Sequence, residues 1–175
     1  MSKAFVSLGS NINPQENIER AIRRLDAAVR IAGISTVYET DPFGRPGDPR
    51  FYNCIVELET DLEPLALKHQ VLRRIEDELG RVRVGDAYAA RTIDLDLILY
   101  DALVMQTPDI ILPDPAILNR PFLALPLAEL APTLLLPGSG TPIGHIAACM
   151  PHDTMTPLVE YTGRIRKAIL PDRLQ

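Results

Sequence analysis

Arg91-Thr92-Ile93-Asp94-Leu95-Asp96-Leu97-Ile98-Leu99-Tyr100 is the stretch on which the reading of this chain turns. A strand sends alternate residues to opposite faces. The spacing predicts a strand over 91–100 with Ile93, Leu95, Leu97 and Leu99 in a core beneath helices. Asp94 and Asp96 then share the other face, their side chains roughly 7 Å apart along the strand. Aspartate is a poor strand former, so two of them in mid-strand need a reason. Hard-cation binding supplies one, because magnesium commonly takes one or two carboxylates plus substrate phosphates. A solvated strand face would carry the same pair at little cost, and spacing alone leaves both readings open.

Outward from that strand, the pattern alternates between periods of 2 and 3.6. Ala4 to Leu8 reads as a first strand, closed by Gly9-Ser10-Asn11. Asn13-Pro14-Gln15-Glu16 reads as a helix start with a side-chain cap. Ile18, Ala21, Ile22, Leu25, Ala28 and Val29 follow at helical spacing, and Gly33 is the expected stop. Ile34 to Thr40 and Phe51 to Thr60 read as strands, separated by a loop rich in proline and glycine. Pro64 opens a second helix with Leu65, Val71, Leu72, Ile75 and Leu79 as its apolar positions, ending at Gly80. After Tyr100 the prolines limit regular structure to a short helix near Leu125 to Leu130, and a loosely held tail is expected from about Arg164. The order strand–helix–strand–strand–helix–strand is the ferredoxin-like βαββαβ plan, an α+β fold with helices on an antiparallel sheet. The expectation is one domain over 1–175 with a C-terminal extension. This plan hosts many functions and decides none.

Arginines gather near the paired aspartates in sequence. Gly80-Arg81-Val82-Arg83 follows the second helix, and Arg91 opens the aspartate-bearing strand. Arginine grips phosphate oxygens bidentately and keeps its charge. The same residues could instead pair with Glu76, Asp77, Glu78 or Asp86 at the surface, a common and weakly stabilising arrangement. There is no Walker loop, so a bound nucleotide would have its phosphates held otherwise. His69, His145 and His152 sit in contexts that suggest no catalytic role.

The chain-wide balance narrows the classes. With 175 residues, 46% hydrophobic and 23% charged, it has the composition of a globular domain. A net charge of -5 disfavours general nucleic-acid binding. No apolar run approaches the ~20 residues of a membrane span, and the apolar start is too short for a secretory signal. Cys54 and Cys149 form no metal-type pair. A cytoplasmic, reduced setting, no membrane partner and a monomer are the expectations.

Taken together, these residues resemble the hydroxymethyl-dihydropterin pyrophosphokinase family. The similarity runs from Phe5-Val6-Ser7-Leu8-Gly9-Ser10-Asn11 to about Pro132. Its strongest piece is Gly80-Arg81-Val82-Arg83 with Arg91-Thr92-Ile93-Asp94-Leu95-Asp96-Leu97. Tyr38-Glu39-Thr40-Asp41-Pro42-Phe43-Gly44, Phe51-Tyr52-Asn53 and Asn119-Arg120-Pro121-Phe122 fall in the family's order. The resemblance implies diphosphate transfer from ATP to the hydroxymethyl group of 6-hydroxymethyl-7,8-dihydropterin, in folate biosynthesis. It implies that Asp94 and Asp96 bind two magnesium ions and that Arg81 and Arg91 assist the transfer. Glu76, Arg83, Tyr88, Leu97 and Arg120 match nucleotide-site positions. Thr40, Asp41, Phe43, Phe51, Asn53 and Phe122 match the pterin pocket.

The chain also departs from the family. Tyr88 stands where tryptophan is common, Ala89-Ala90 where Gly-Pro is common, and Pro113-Asp114-Pro115 where Pro-His-Pro is usual. An aspartate at that point would repel a phosphate unless it binds metal or turns away. The alternative to turnover is therefore a diverged relative that binds pterin or nucleotide with altered substrate or weak activity.

Overall fold

The computed structural model describes residues 1–42, 47–83, 85 and 89–171. Strand β1 (Ser2–Ser10) leads into helix α1 (Pro14–Ala28), then β2 (Arg30–Ile34), β3 (Tyr38–Thr40) and β4 (Phe51–Thr60). Helix α2 spans 64–78 and contains a π-helical turn at Leu67–Leu72. Strand β5 (Asp94–Tyr100), the short pair β6 (Met105–Gln106) and β7 (Ile111–Leu112), and a 3-10 turn at Pro115–Leu118 follow. Helix α3 (Pro121–Leu130), helix α4 (Ile143–Ala148), strand β8 (Met155–Pro157) and helix α5 (Val159–Ile169) complete the order. The main sheet runs β5-β1-β4-β3-β8, with β2 also on β4. Every pairing in it is antiparallel, so the ferredoxin-like α+β plan holds.

The sheet is covered on both faces. Helices α1, α2 and α5 bury Ile18, Ile22, Leu25, Leu72, Ile75 and Ile165 against Val6, Leu8, Val56, Leu58, Leu95 and Leu97. On the other face, α3 and α4 bury Leu123, Leu127, Ile143 and Ile146 against Phe5, Ile55, Ile98 and Leu99. Leu99 was expected beside Leu97 and lies instead on the opposite face. The cause is a bulge: Leu97 pairs with Val6 and Leu99 with Phe5, which leaves Ile98 as an extra residue. One extra residue reverses the alternation beyond it.

The local reading misleads at four other places. Gly33 does not stop α1, which ends at Ala28; it lies inside β2, next to another register shift. A Cβ at Gly33 would come within 3.2 Å of the Leu130 side chain, so its bareness lets α3 approach the strand. Asn13 is the N-cap of α1 but offers no side-chain cap, because its backbone takes the left-handed conformation (φ 42°) that asparagine tolerates. The expected strand over 34–40 is split into β2 and β3 at residues 35–37. The short helix expected at 125–130 begins at Pro121, whose ring suits the first turn, and continues through Pro126.

The first part of the expected tail, residues 164–169, is helical. Helix α5 carries Tyr161, Thr162 and Ile165 into the core, and β8 extends the sheet beside β3. Among the described residues, no helix is long and apolar enough to cross a membrane.

Truncating Leu99 to alanine should cost roughly 2–5 kcal/mol in denaturant unfolding, as for a packed core position. Because Leu97 and Leu99 serve different cores, the two truncations should be close to additive. Strong coupling between them would mean that they share one face.

Candidate active site

The site grows from the end of helix α2. Gly80 takes a left-handed turn (φ 76°). The Gly80 amide donates to the Asp77 carbonyl, and the Arg81 amide to that of Glu76, each at 3.0 Å. This Schellman closure carries Arg81 back beside the last turn of its own helix. There the Arg81 guanidinium donates to the carboxylates of Glu76 and Asp94. Glu76 is only 3% exposed. It also accepts from the Leu95 amide at 2.8 Å and from Arg83 at 2.6 Å. Burial pushes the Glu76 carboxyl up, while the Leu95 amide and Arg81 pull it back.

Asp94 has one carboxylate oxygen on Arg81 and the other on Arg91. Arg91 is fixed by more than this. Its amide donates to the Asn11 Oδ1 at 2.8 Å, and its guanidinium lies 5.9 Å from the centre of the Phe51 ring. Asn11 in turn donates to the Pro49 carbonyl at 3.3 Å. Gly9-Ser10-Asn11, read in the sequence only as a strand end, thus supplies the anchor for Arg91. The anchor depends on a partner 80 residues away in sequence, which no local pattern displays.

Asp96 points into the same space, without a hydrogen bond or ion pair among the described residues. Its side chain is open to water but is set deep in the cleft. Desolvation and the carboxylates of Asp94, Glu76 and Asp114 push its pKa up to about 7, with Arg81 opposing.

These groups form one end of a cleft of about 260 Å³. Thr40, Asp41, Pro42, Phe51, Asn53, Phe122 and Leu123 line the rest, with Arg91, Asp94, Asp96, Asp114 and Arg120 supplying charge. Asn53 donates to the Thr40 hydroxyl at 2.7 Å, and both are buried. Its Oδ1 lies over Gly9, where a Cβ would approach it to 3.0 Å. The cleft therefore combines flat apolar walls, an amide and a polar, charged end.

Of the expected residues, the fold gathers Thr40, Asp41, Phe51, Asn53, Arg81, Arg91, Asp94, Asp96, Arg120 and Phe122 in or beside the cleft. Glu76 and Arg83 stand behind them as an ion-paired support. Leu97 faces the core with its side chain, so only its backbone could meet a ligand in the cleft. Phe43 and Tyr88 lie outside the described residues. Asp114 does face the cleft, and one of its oxygens accepts from the Ala116 amide at 2.8 Å. Among the described residues, no three His, Cys, Asp or Glu side chains could hold a metal by themselves. Asp94 and Asp96 suit a cation that draws its remaining ligands from a substrate.

Residues 5–132 match the family described as 7,8-dihydro-6-hydroxymethylpterin-pyrophosphokinase. The chain is 36% identical over 142 residues to the 2-amino-4-hydroxy-6-hydroxymethyldihydropteridine pyrophosphokinase of Haemophilus influenzae, covering 79% of this chain and 88% of that protein. It is 38% identical over 130 residues to the protein of that name from Bacillus subtilis, covering 73% and 77%. Among solved structures, Plasmodium falciparum HPPK-DHPS superposes with a TM-score of 0.68 at 13% identity. The superposition covers 95% of this chain and 46% of that one, so it speaks to the fold alone.

Asp96 gives a test of the site's electrostatics. Its carboxyl titrates near about 7 in the fold and near roughly 3.9 in an unfolded chain. Between those values the folded state binds the extra proton, so this group's contribution to stability falls as pH rises. Asp96→Asn should therefore raise the Tm of the ligand-free protein at pH 8, with the gain vanishing below about pH 4. Thermal melts across that range check it, and a difference independent of pH would remove the electrostatic account.

Proposed function

Because the chain belongs to the 7,8-dihydro-6-hydroxymethylpterin-pyrophosphokinase family, we propose that its cleft transfers diphosphate from ATP to the hydroxymethyl group of 6-hydroxymethyl-7,8-dihydropterin. AMP leaves, and the product serves folate biosynthesis. One observation carries the assignment to this cleft: Asp94 and Asp96 share a sheet face with a pocket walled by Phe51, Phe122 and Asn53.

The pterin hydroxyl oxygen forms a bond to the β-phosphorus of ATP. The bond from that phosphorus to the oxygen shared with the α-phosphate breaks, and the hydroxyl proton passes to water. Such a transfer relies on positioning and charge neutralisation. Phe51 and Phe122 hold the flat ring, while Asn53 meets its edge with a donor and an acceptor. Arg81, Arg91 and Arg120 meet the phosphates. Asp94 and Asp96 would hold magnesium, two ions by family resemblance, and it would supply neutralisation of phosphate charge there.

In the ligand-free protein, Arg81 and Arg91 neutralise Asp94. Were Asp94 to take a cation, these pairs would compete with it, and Arg81 and Arg91 are placed to turn to phosphate instead. The proposal is completed by a cytoplasmic location and a monomeric state; Cys54 and Cys149 stand as free thiols.

Purified protein should form AMP only when ATP, magnesium and the pterin are all present. Asp96→Ala should lower kcat by roughly 10²–10³-fold, the scale seen when one electrostatic contact to a transition state is lost. Absence of AMP from the wild type at high enzyme concentration would overturn the assignment, and ligand binding without AMP would reduce it to a binding protein.

A further inference from the structure

Helix α5 lines no part of the cleft, yet it fastens the strand that forms one of its walls. The break between β2 and β3, residues 35–37, leaves backbone groups that the sheet alone does not satisfy. Thr162 Oγ1 accepts from the Val37 amide at 2.9 Å and donates to the Leu158 carbonyl at 2.8 Å. The Leu158 amide returns to the Val37 carbonyl at 2.8 Å. Arg166 Nε donates to the Ile34 carbonyl at 2.8 Å, and its other arm reaches Glu129 of α3 at 2.6 Å. Glu129 in turn accepts from the Thr36 amide and hydroxyl. Two helices thus grip Ile34, Thr36 and Val37 from opposite sides, while the Ser35 amide donates to the Ile55 carbonyl of β4 at 2.9 Å.

Those three residues run directly into β3. It is only three residues long and is held between β4 and the equally short β8. Its last residue, Thr40, accepts the Asn53 amide in the cleft, and Asp41 and Pro42 follow as lining. Few ladder hydrogen bonds fix so short a strand, so the grip on Ile34, Thr36 and Val37 bears directly on where it lies. The charged end of the cleft is anchored elsewhere, on β5 and the end of α2, with β1 and β4 between.

We propose that Thr162 and Arg166 are positioning residues for the heterocycle half of the cleft: they set β3, and through Thr40 they set Asn53. The inference rests on the proposed function for the identity of the ligand, but the mechanical link does not. A purely structural role would weaken the whole protein, or both substrates alike. A positioning role weakens one substrate.

The test compares Thr162→Val, which orphans the Val37 amide, with Thr162→Ser, which retains the hydroxyl, and with Arg166→Met. Thr162→Val and Arg166→Met should raise KM for the pterin on the order of tenfold, the scale of a small misplacement in a binding wall. KM for ATP should stay within about twofold, as expected for an independent site. Thr162→Ser should restore the pterin KM. Equal shifts for both substrates, or no shift, overturn the inference. Hydrogen exchange on the ligand-free protein separates it from the functional assignment. The β3 amides should exchange faster in Thr162→Val while those of β5 do not change. Unchanged β3 exchange sinks the mechanical link whatever the substrate proves to be. Faster β3 exchange beside a wild type that ignores the pterin sinks the functional reading alone.

Discussion

A single buried carboxylate, Glu76, is the constraint on which the site depends. Burying it is unfavourable unless its oxygens are matched, and here they are matched three ways. The Leu95 amide ties it to β5, while Arg81 and Arg83 bring in the segment after α2. Helix end, strand and loop are locked together around one negative charge. Removing that charge would leave Arg81 with Asp94 alone and the Leu95 amide without its partner. The Asp94 geometry is thus a consequence of Glu76, which is itself buried.

The same lattice shapes the charge that the cleft presents. Asp94 is neutralised by two guanidiniums, and Glu76 by two. Asp96 and Asp114 face the cleft without ion pairs among the described residues; desolvation first, and then the neighbouring carboxylates, push the Asp96 pKa up to about 7. A fold selected only for stability would place an apolar side chain there, as it does at Ile98 one turn of the pleat further along. The electrostatic stress is confined to the stretch of the sheet that α3 leaves uncovered. Below it, the covered stretch is packed on both faces and supplies the rigidity that the stressed end needs.

How much of this could be read from the chain follows from how local each cause is. The shared face of Asp94 and Asp96 obeys the two-residue period, so it was legible, as was the stop at Gly80. The side change at Leu99 was not, because the bulge is defined only by the register against Phe5 and Val6. Gly33 carried the right signal for the wrong reason: it marks a close approach by Leu130, not the end of a helix. Helix α5 hid behind Pro157 and Gly163, residues that argue against regular structure. Its place is justified by hydrogen bonds to Ile34 and Val37, more than 120 positions earlier. The arginines near Asp94 could be gathered in sequence only as candidates. Their convergence needed Asn11 on one side and Glu76 on the other.

Asp94, Gly9 and Asn53 stand opposite one another on neighbouring strands β5, β1 and β4. Two strand spacings, about 10 Å, separate the outer pair. One outer residue belongs to the charged half of the cleft and the other to the heterocycle half. The middle one has no side chain, and the Asn53 Oδ1 lies 3.0 Å from where a Cβ would stand. The two halves are therefore built on separate supports, one tied through Glu76 and the other through β3, and they meet over a glycine. Any side chain at position 9 would press on Asn53 and disturb the heterocycle half while leaving the arginine lattice in place. The distance between the two ends of the cleft is thus set by the spacing of hydrogen-bonded strands, one of the least deformable dimensions a protein has.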